Sequence, residues 1–148
     1  MPIQIANRQR RHRINQQKIR GAARTLLTAL GLPDAELSIL LVSDRRIAAL
    51  NLEFLGRQGP TNVIAFPMRS GRFGDLSPNL LGDVVISVET ARREALQAAM
   101  PMEVRLTQLL VHGVLHLCGY DHETDRRDAR RMAAESRRLL QRIERGSS

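Results

Sequence analysis

The stretch PMEVRLTQLLVHGVLHLCGYDH, from Pro101 to His122, decides how the rest of the chain must be arranged. Its apolar residues Val104, Leu109, Leu110, Val111, Val114, Leu115 and Leu117 go most of the way round a helix running from Pro101 to about Cys118. A helix that is apolar on nearly every side belongs at the centre, with the other elements laid against it. Pro101 suits its first position, where no N–H is needed, and Gly119 supplies the left-handed residue that ends it. His112 and His116 are four residues apart, so their side chains rise from one helical face with bases about 5–6 Å apart, close enough to share an ion. The reversal that Gly119 permits swings His122 toward the same point, and three imidazoles then leave a fourth position open for water. Three unrelated histidines, two packed and one in a turn, are the alternative. The helix-then-glycine context is what the tripod requires, and it favours metal.

Working outward, Ile3-Gln4-Ile5 alternates as a short strand, and Arg8 to Arg13 holds four arginines and His12, a surface residue. From Ile14 the residues Ile19, Ala22, Ala23, Leu26, Leu27 and Leu30 fall at helical spacing until Gly31 and Pro33 stop them. Leu37 to Val42 suits a buried strand, and Ser43 caps a helix with Ile47, Ala48 and Leu50 on its apolar face. That helix meets the polar Asn51 before Leu52, Phe54 and Leu55 resume. Gly56 to Pro60 is a loop, Thr61 to Phe66 a strand closed by Pro67, and Arg69 to Asn79 a second loop. Leu81 to Val88 is a further strand, able to pair with the previous one as a hairpin with a long connection. Glu89 to Met100 is helical, and the last helix runs from about Thr124 to Glu144, leaving Arg145 to Ser148 as a frayed tail.

Composition narrows the function. The chain has 148 residues, 43% hydrophobic and 26% charged, the proportions of a packed domain rather than a disordered or fibrous protein. No run approaches the roughly 20 apolar residues of a membrane span, and the first residues lack a secretory signal, so no membrane partner and a cytoplasmic location are expected. Cys118 is the single cysteine, which excludes an internal disulfide and reads as a small buried side chain. The formal net charge is +8, nearly all of it arginine, since Lys18 is the only lysine. Such an excess attracts nucleic acid, anionic membranes or acidic partners, or is a bias of composition alone. Arg127, Arg130, Arg131, Arg138 and Arg142 fall mostly along one side of the last helix, with Met132, Ala133, Leu139, Leu140 and Ile143 opposite. An amphipathic surface helix accounts for this by itself; a phosphate-tracking surface is the functional reading. The aromatics are only Phe54, Phe66, Phe73 and Tyr120, so any RNA binding should be mainly electrostatic.

The spacing of the three histidines is that of metzincin peptidases, H-E-x-x-H-x-x-G-x-x-H. Those enzymes use the glutamate as general base, and Gly113 stands at that position, so peptidase chemistry by that route is not expected. Asp121 either orients a ligand histidine or the water, or satisfies backbone amides where the last helix begins. Thr61 and Asn62 either touch a nucleotide or hydrogen-bond at a strand end.

The chain resembles the YbeY family of bacterial metal-dependent endoribonucleases that act in ribosomal RNA maturation. The resemblance rests on His112 to His122, on Asn51-Leu52 followed by Pro60-Thr61-Asn62-Val63-Ile64-Ala65-Phe66-Pro67, and on Leu81-Gly82-Asp83-Val84-Val85-Ile86-Ser87. It implies an α+β fold, a small mixed sheet of about four strands flanked by about five helices, as a single YbeY-like metallohydrolase domain over residues 1–148. It also implies one zinc ion per chain on His112, His116 and His122, and cleavage of single-stranded regions of ribosomal RNA during ribosome assembly, with ribosome components as partners. Asp121 and Arg57 are the catalytic candidates, Arg57 and Asn62 the RNA-binding ones. The sequence departs from the family at Leu55, where an arginine usually follows the aromatic corresponding to Phe54; Arg57 either supplies that guanidinium from its loop or is a bystander. A non-catalytic RNA-binding assembly factor with a structural zinc is the alternative function.

Overall fold

The computed structural model describes residues 3–68, 79–120 and 126–146. Its elements are β1 (Ile3–Asn7), α1 (Gln16–Ala29), β2 (Glu36–Val42), α2 (Asp44–Leu55), β3 (Val63–Pro67), β4 (Leu80–Ser87), α3 (Val88–Gln97), α4 (Met102–Leu117) and α5 (Arg126–Gly146). The four strands form one mixed sheet in the order β1-β2-β4-β3. β1 and β4 both run parallel to β2, while β3 is antiparallel to β4 with Val63 opposite Ile86 and Phe66 opposite Asp83. This is the expected α+β fold, and the expected hairpin is the β3–β4 pair.

Alternation along the strands gives the sheet two buried faces. Leu37, Ile39 and Leu41 of β2 and Leu81, Val84 and Ile86 of β4 join the larger core with α1, α4 and α5. Val42, Ile64 and Val85 point the other way and meet Ile47 of α2 in a smaller cluster. Helix α4 is central, with Leu106, Leu109, Leu110, Val111, Val114, Leu115 and Leu117 all buried. Val104 departs from the expected apolar girdle: it is 41% exposed, because the first turn of α4 runs past the packed layer.

Several boundaries differ from expectation, each for a local reason. Pro101 is the N-cap of α4 rather than its first residue, with extended φ/ψ of −62° and 146°. Ser87 ends β4 and its hydroxyl accepts from the Thr90 N–H, so Val88 opens α3 instead of closing the strand. β3 starts at Val63 rather than Thr61. At the C-terminus α5 continues to Gly146, where a frayed tail was expected from Arg145. The expected start of that helix at Thr124 lies outside the described residues.

Candidate metal and RNA site

Helix α4 ends as its sequence requires. Cys118 is its C-cap and Gly119 follows at φ +97°, with the Gly119 and Tyr120 N–H groups donating back to His116 and Leu115 carbonyls. Within the last turn and a half before that end, His112 and His116 stand side by side. Their Nε2 atoms are 3.1 Å apart and their ring centroids 4.7 Å apart, edge to face. Two imidazole nitrogens bound tetrahedrally to one ion at about 2.0–2.1 Å lie about 3.3 Å from each other, so the pair has the spacing of two ligands of one metal. Neutral rings sharing a proton give a similar distance, one donating and one accepting. His122 and Asp121, the other expected members of the site, lie outside the described residues. Among the described residues no group of three or more His, Cys, Asp or Glu side chains is gathered for an ion.

Gly113 lies next to His112 but turns toward the sheet. A Cβ there would sit 2.7 Å from Val84 Cγ1 and 3.3 Å from Val63 Cγ2, closer than side-chain carbons pack. Helix and sheet touch at this residue, which is why the position holds no acid or base. Gly82 does the same from the sheet side, at φ +147°, where a Cβ would meet the Phe66 carbonyl oxygen at 2.4 Å and Leu117 Cδ2 at 2.8 Å. These two glycines set α4, with its histidine pair, directly on β3 and β4.

Arg57 is exposed in the loop after α2, and Asn51 fixes that loop. The Asn51 amide, only 5% exposed, donates to the Gly59 carbonyl at 3.0 Å, and the Asn51 carbonyl accepts from the Arg57 N–H. Gly56 at φ +65° makes the turn between them. Asn51 is a positioning residue that the sequence shows as a polar interruption and as part of the family resemblance, without its role; its partner eight residues away in a loop gives no periodic signal. Asn62 directs its amide at the Glu94 carboxylate, at 3.2 and 3.3 Å, and Glu94 also accepts from Arg105 Nε of α4. The structure thus brings His112 and His116 together, places Arg57 on a pinned loop, and ties Asn62 to α3 rather than leaving its amide as an open donor.

The Asp44 carboxylate was not singled out from sequence. It accepts from Ser87 Oγ, Thr90 Oγ1 and Arg93 Nη1, while the Asp44 N–H donates to Glu89. Partial burial pushes its pKa up, but these three donors outweigh burial and hold it below the usual carboxylate value. On β4, burial raises the pKa of Asp83.

The comparisons with known proteins agree with this architecture. The family model for Endoribonuclease YbeY matches residues 4–144. The chain is 48% identical to the Endoribonuclease YbeY of Geobacter sulfurreducens, covering 99% of this chain and 98% of that one. It is also 48% identical to the protein of the same name from Geobacter metallireducens, covering 98% and 97%. A solution structure of a Thermotoga maritima protein, 22% identical, superposes with a TM-score of 0.65 over 95% of this chain and 88% of that one, which shows a shared fold. No helix among the described residues is long and apolar enough to cross a membrane. With its sheet order, its paired histidines and a family match running nearly from end to end, the chain belongs to the endoribonuclease YbeY family.

Proposed function

We propose that this protein is a cytoplasmic zinc-dependent endoribonuclease that cuts single-stranded segments of ribosomal RNA during ribosome assembly. One ion per chain is held by His112, His116 and His122. The observation that carries the reading is the 3.1 Å separation of the two partly buried Nε2 atoms near the end of one helix. When bound, zinc supplies Lewis acidity toward a phosphoryl oxygen and lowers the pKa of a water toward neutrality. The chain's own residues do the remaining work. Gly113 and Gly82 hold the histidine helix against the sheet, and Asn51 holds the loop from which Arg57 reaches a phosphate. Asp121, adjacent to the third histidine, orients that imidazole or takes up a proton.

A factor that binds RNA without cutting it is the second reading. Leu55 favours it, since the last residue of α2 presents an aliphatic side chain where the family carries a guanidinium. Elemental analysis and single-turnover cleavage of a single-stranded RNA decide between them. The parent protein is expected to carry about one zinc per chain, and His112→Ala/His116→Ala to lose both metal and cleavage. Leu55→Arg should raise the cleavage rate by up to about 10²-fold if transition-state charge is short of a donor. Stoichiometric metal in the double variant overturns the site. A zinc-loaded parent that leaves RNA intact, with Leu55→Arg equally inert, establishes the second reading.

A further inference from the structure

Helix α5 is the longest of the described helices and far more basic than its neighbours. Over its 21 residues it carries eight arginines against Asp128, Glu135 and Glu144. At 100° per residue the eight arginines fall within an arc of about 160°. Met132, Leu139 and Ile143, all buried, lie on the opposite side. The arginine side is open: residues 126, 127, 130, 131, 137, 138, 142 and 145 are all exposed. A helix of this length presents the row over about 31 Å.

The row has a direction. Leu140, Ile143 and Gly146 of α5 line the same cavity as Met102 and Leu106 of α4, so the end of α5 lies at the beginning of α4. The start of α5 is tied to the end of α4 by chain length, since Tyr120 and Arg126 are six positions apart and cannot lie more than about 20 Å from each other. The helices are therefore antiparallel, and the first arginines of α5 lie toward the end of α4 that bears His112 and His116. The basic row starts toward the histidine-bearing end of α4 and runs away from it.

Two features of α5 decide what such a row can hold. None of its residues is aromatic. Binding of single strands usually relies on bases stacked on aromatic rings, whereas duplex RNA is held through its phosphates and its shape. The row is also carried by one continuous helix, matched to a backbone whose phosphates are themselves fixed in place. Arginine grips phosphate bidentately, which suits that geometry. The apolar side of α5 is already buried in the core, so the helix has no free apolar face to lay into a bilayer.

We propose that the arginine face of α5 is a docking surface for a double-helical stem of the RNA, holding it so that the adjoining single strand reaches the histidine end of α4. The proposal rests on the reading of this protein as one that acts on RNA. It goes beyond that reading in assigning the paired part of the substrate to α5.

The test measures binding rather than cleavage, in the His112→Ala/His116→Ala background, so that a failure of the catalytic reading leaves its outcome unaffected. The probes are an RNA hairpin with a single-stranded tail, an unpaired RNA of equal length, and vesicles containing phosphatidylglycerol. Arg127→Gln/Arg130→Gln/Arg137→Gln should weaken hairpin binding by roughly tenfold or more at low salt and reduce the slope of log affinity against log salt by about 2–3, at about 0.9 per lost phosphate contact. Binding of the unpaired RNA should change about twofold at most. Arg45→Gln/Arg46→Gln/Arg92→Gln removes the same charge from exposed positions on α2 and α3 and should leave hairpin binding within about twofold. Equal loss for hairpin and unpaired RNA overturns the proposal, as does an equal effect of the α2 and α3 variant. Vesicle binding that depends on α5 while hairpin binding does not overturns it in favour of an anionic lipid surface.

Discussion

At Gly113 the room for a side chain is already taken. Alanine is a better helix residue than glycine by about 1 kcal/mol, and in an exposed helix Gly113→Ala would stabilise. Here the new methyl lands on Val84, which is fully buried and cannot move aside. Overpacking of this kind costs about 1–3 kcal/mol, so the net expectation is a loss. The midpoint of thermal unfolding should fall by about 2–4 °C for each kcal/mol lost. A rise in the midpoint would mean that α4 does not seat on β4 as described. The sequence identifies Gly113 as a position without a base, and that much chemistry is legible. Why it has none is not, because its neighbour Val84 is distant in sequence and only the sheet brings it close. His112 and His116 are the opposite case, since i,i+4 spacing on one helix needs no tertiary information to be read.

The elements were legible from periodicity, and their junctions less so. Apolar spacing gave the bodies of α1, α4 and α5, and Ser43 announced the start of α2. The start of α3 was misplaced because Val88 continues the apolar run of β4, while the deciding signal is the Ser87 side chain, which folds forward onto the Thr90 N–H. The same hydroxyl donates to Asp44, tying the first turns of α2 and α3 together, and Arg93 completes the contact. The Asp44 pKa is lowered in the folded state, so its contribution to stability is present above the ordinary value of 3.8 and is lost as pH falls below it. Asp44→Asn should therefore lower the thermal midpoint at neutral pH, and the gap between variant and parent should narrow as both are acidified below 3.8. Unfolding curves recorded across that range check this. A deficit that is the same at every pH would assign the effect to lost hydrogen bonds rather than to charge.

For the whole molecule, the least legible fact was the strand order. The hairpin of β3 and β4 follows from their adjacency in sequence, but the insertion of β4 between β2 and β3 depends on pairing across more than forty residues. Leu81, Val84, Val85 and Ile86 supply a clue after the fact, since a strand that is apolar on both faces suits an interior place. The order also has a consequence in time. β3 has β4 as its one neighbour in the sheet, and β2 lacks its second neighbour until β4 exists. A chain made from its N-terminus thus exposes β3 before anything can pair with it, and 79 of the 148 residues precede β4. A released fragment ending at residue 79 should be open to protease at β3, while one ending after α4 is protected there, which limited proteolysis of the two fragments measures. For this protein, then, the ribosome delivers the sheet's two outer parts first and its fastening strand afterwards, and folding waits on the order of synthesis.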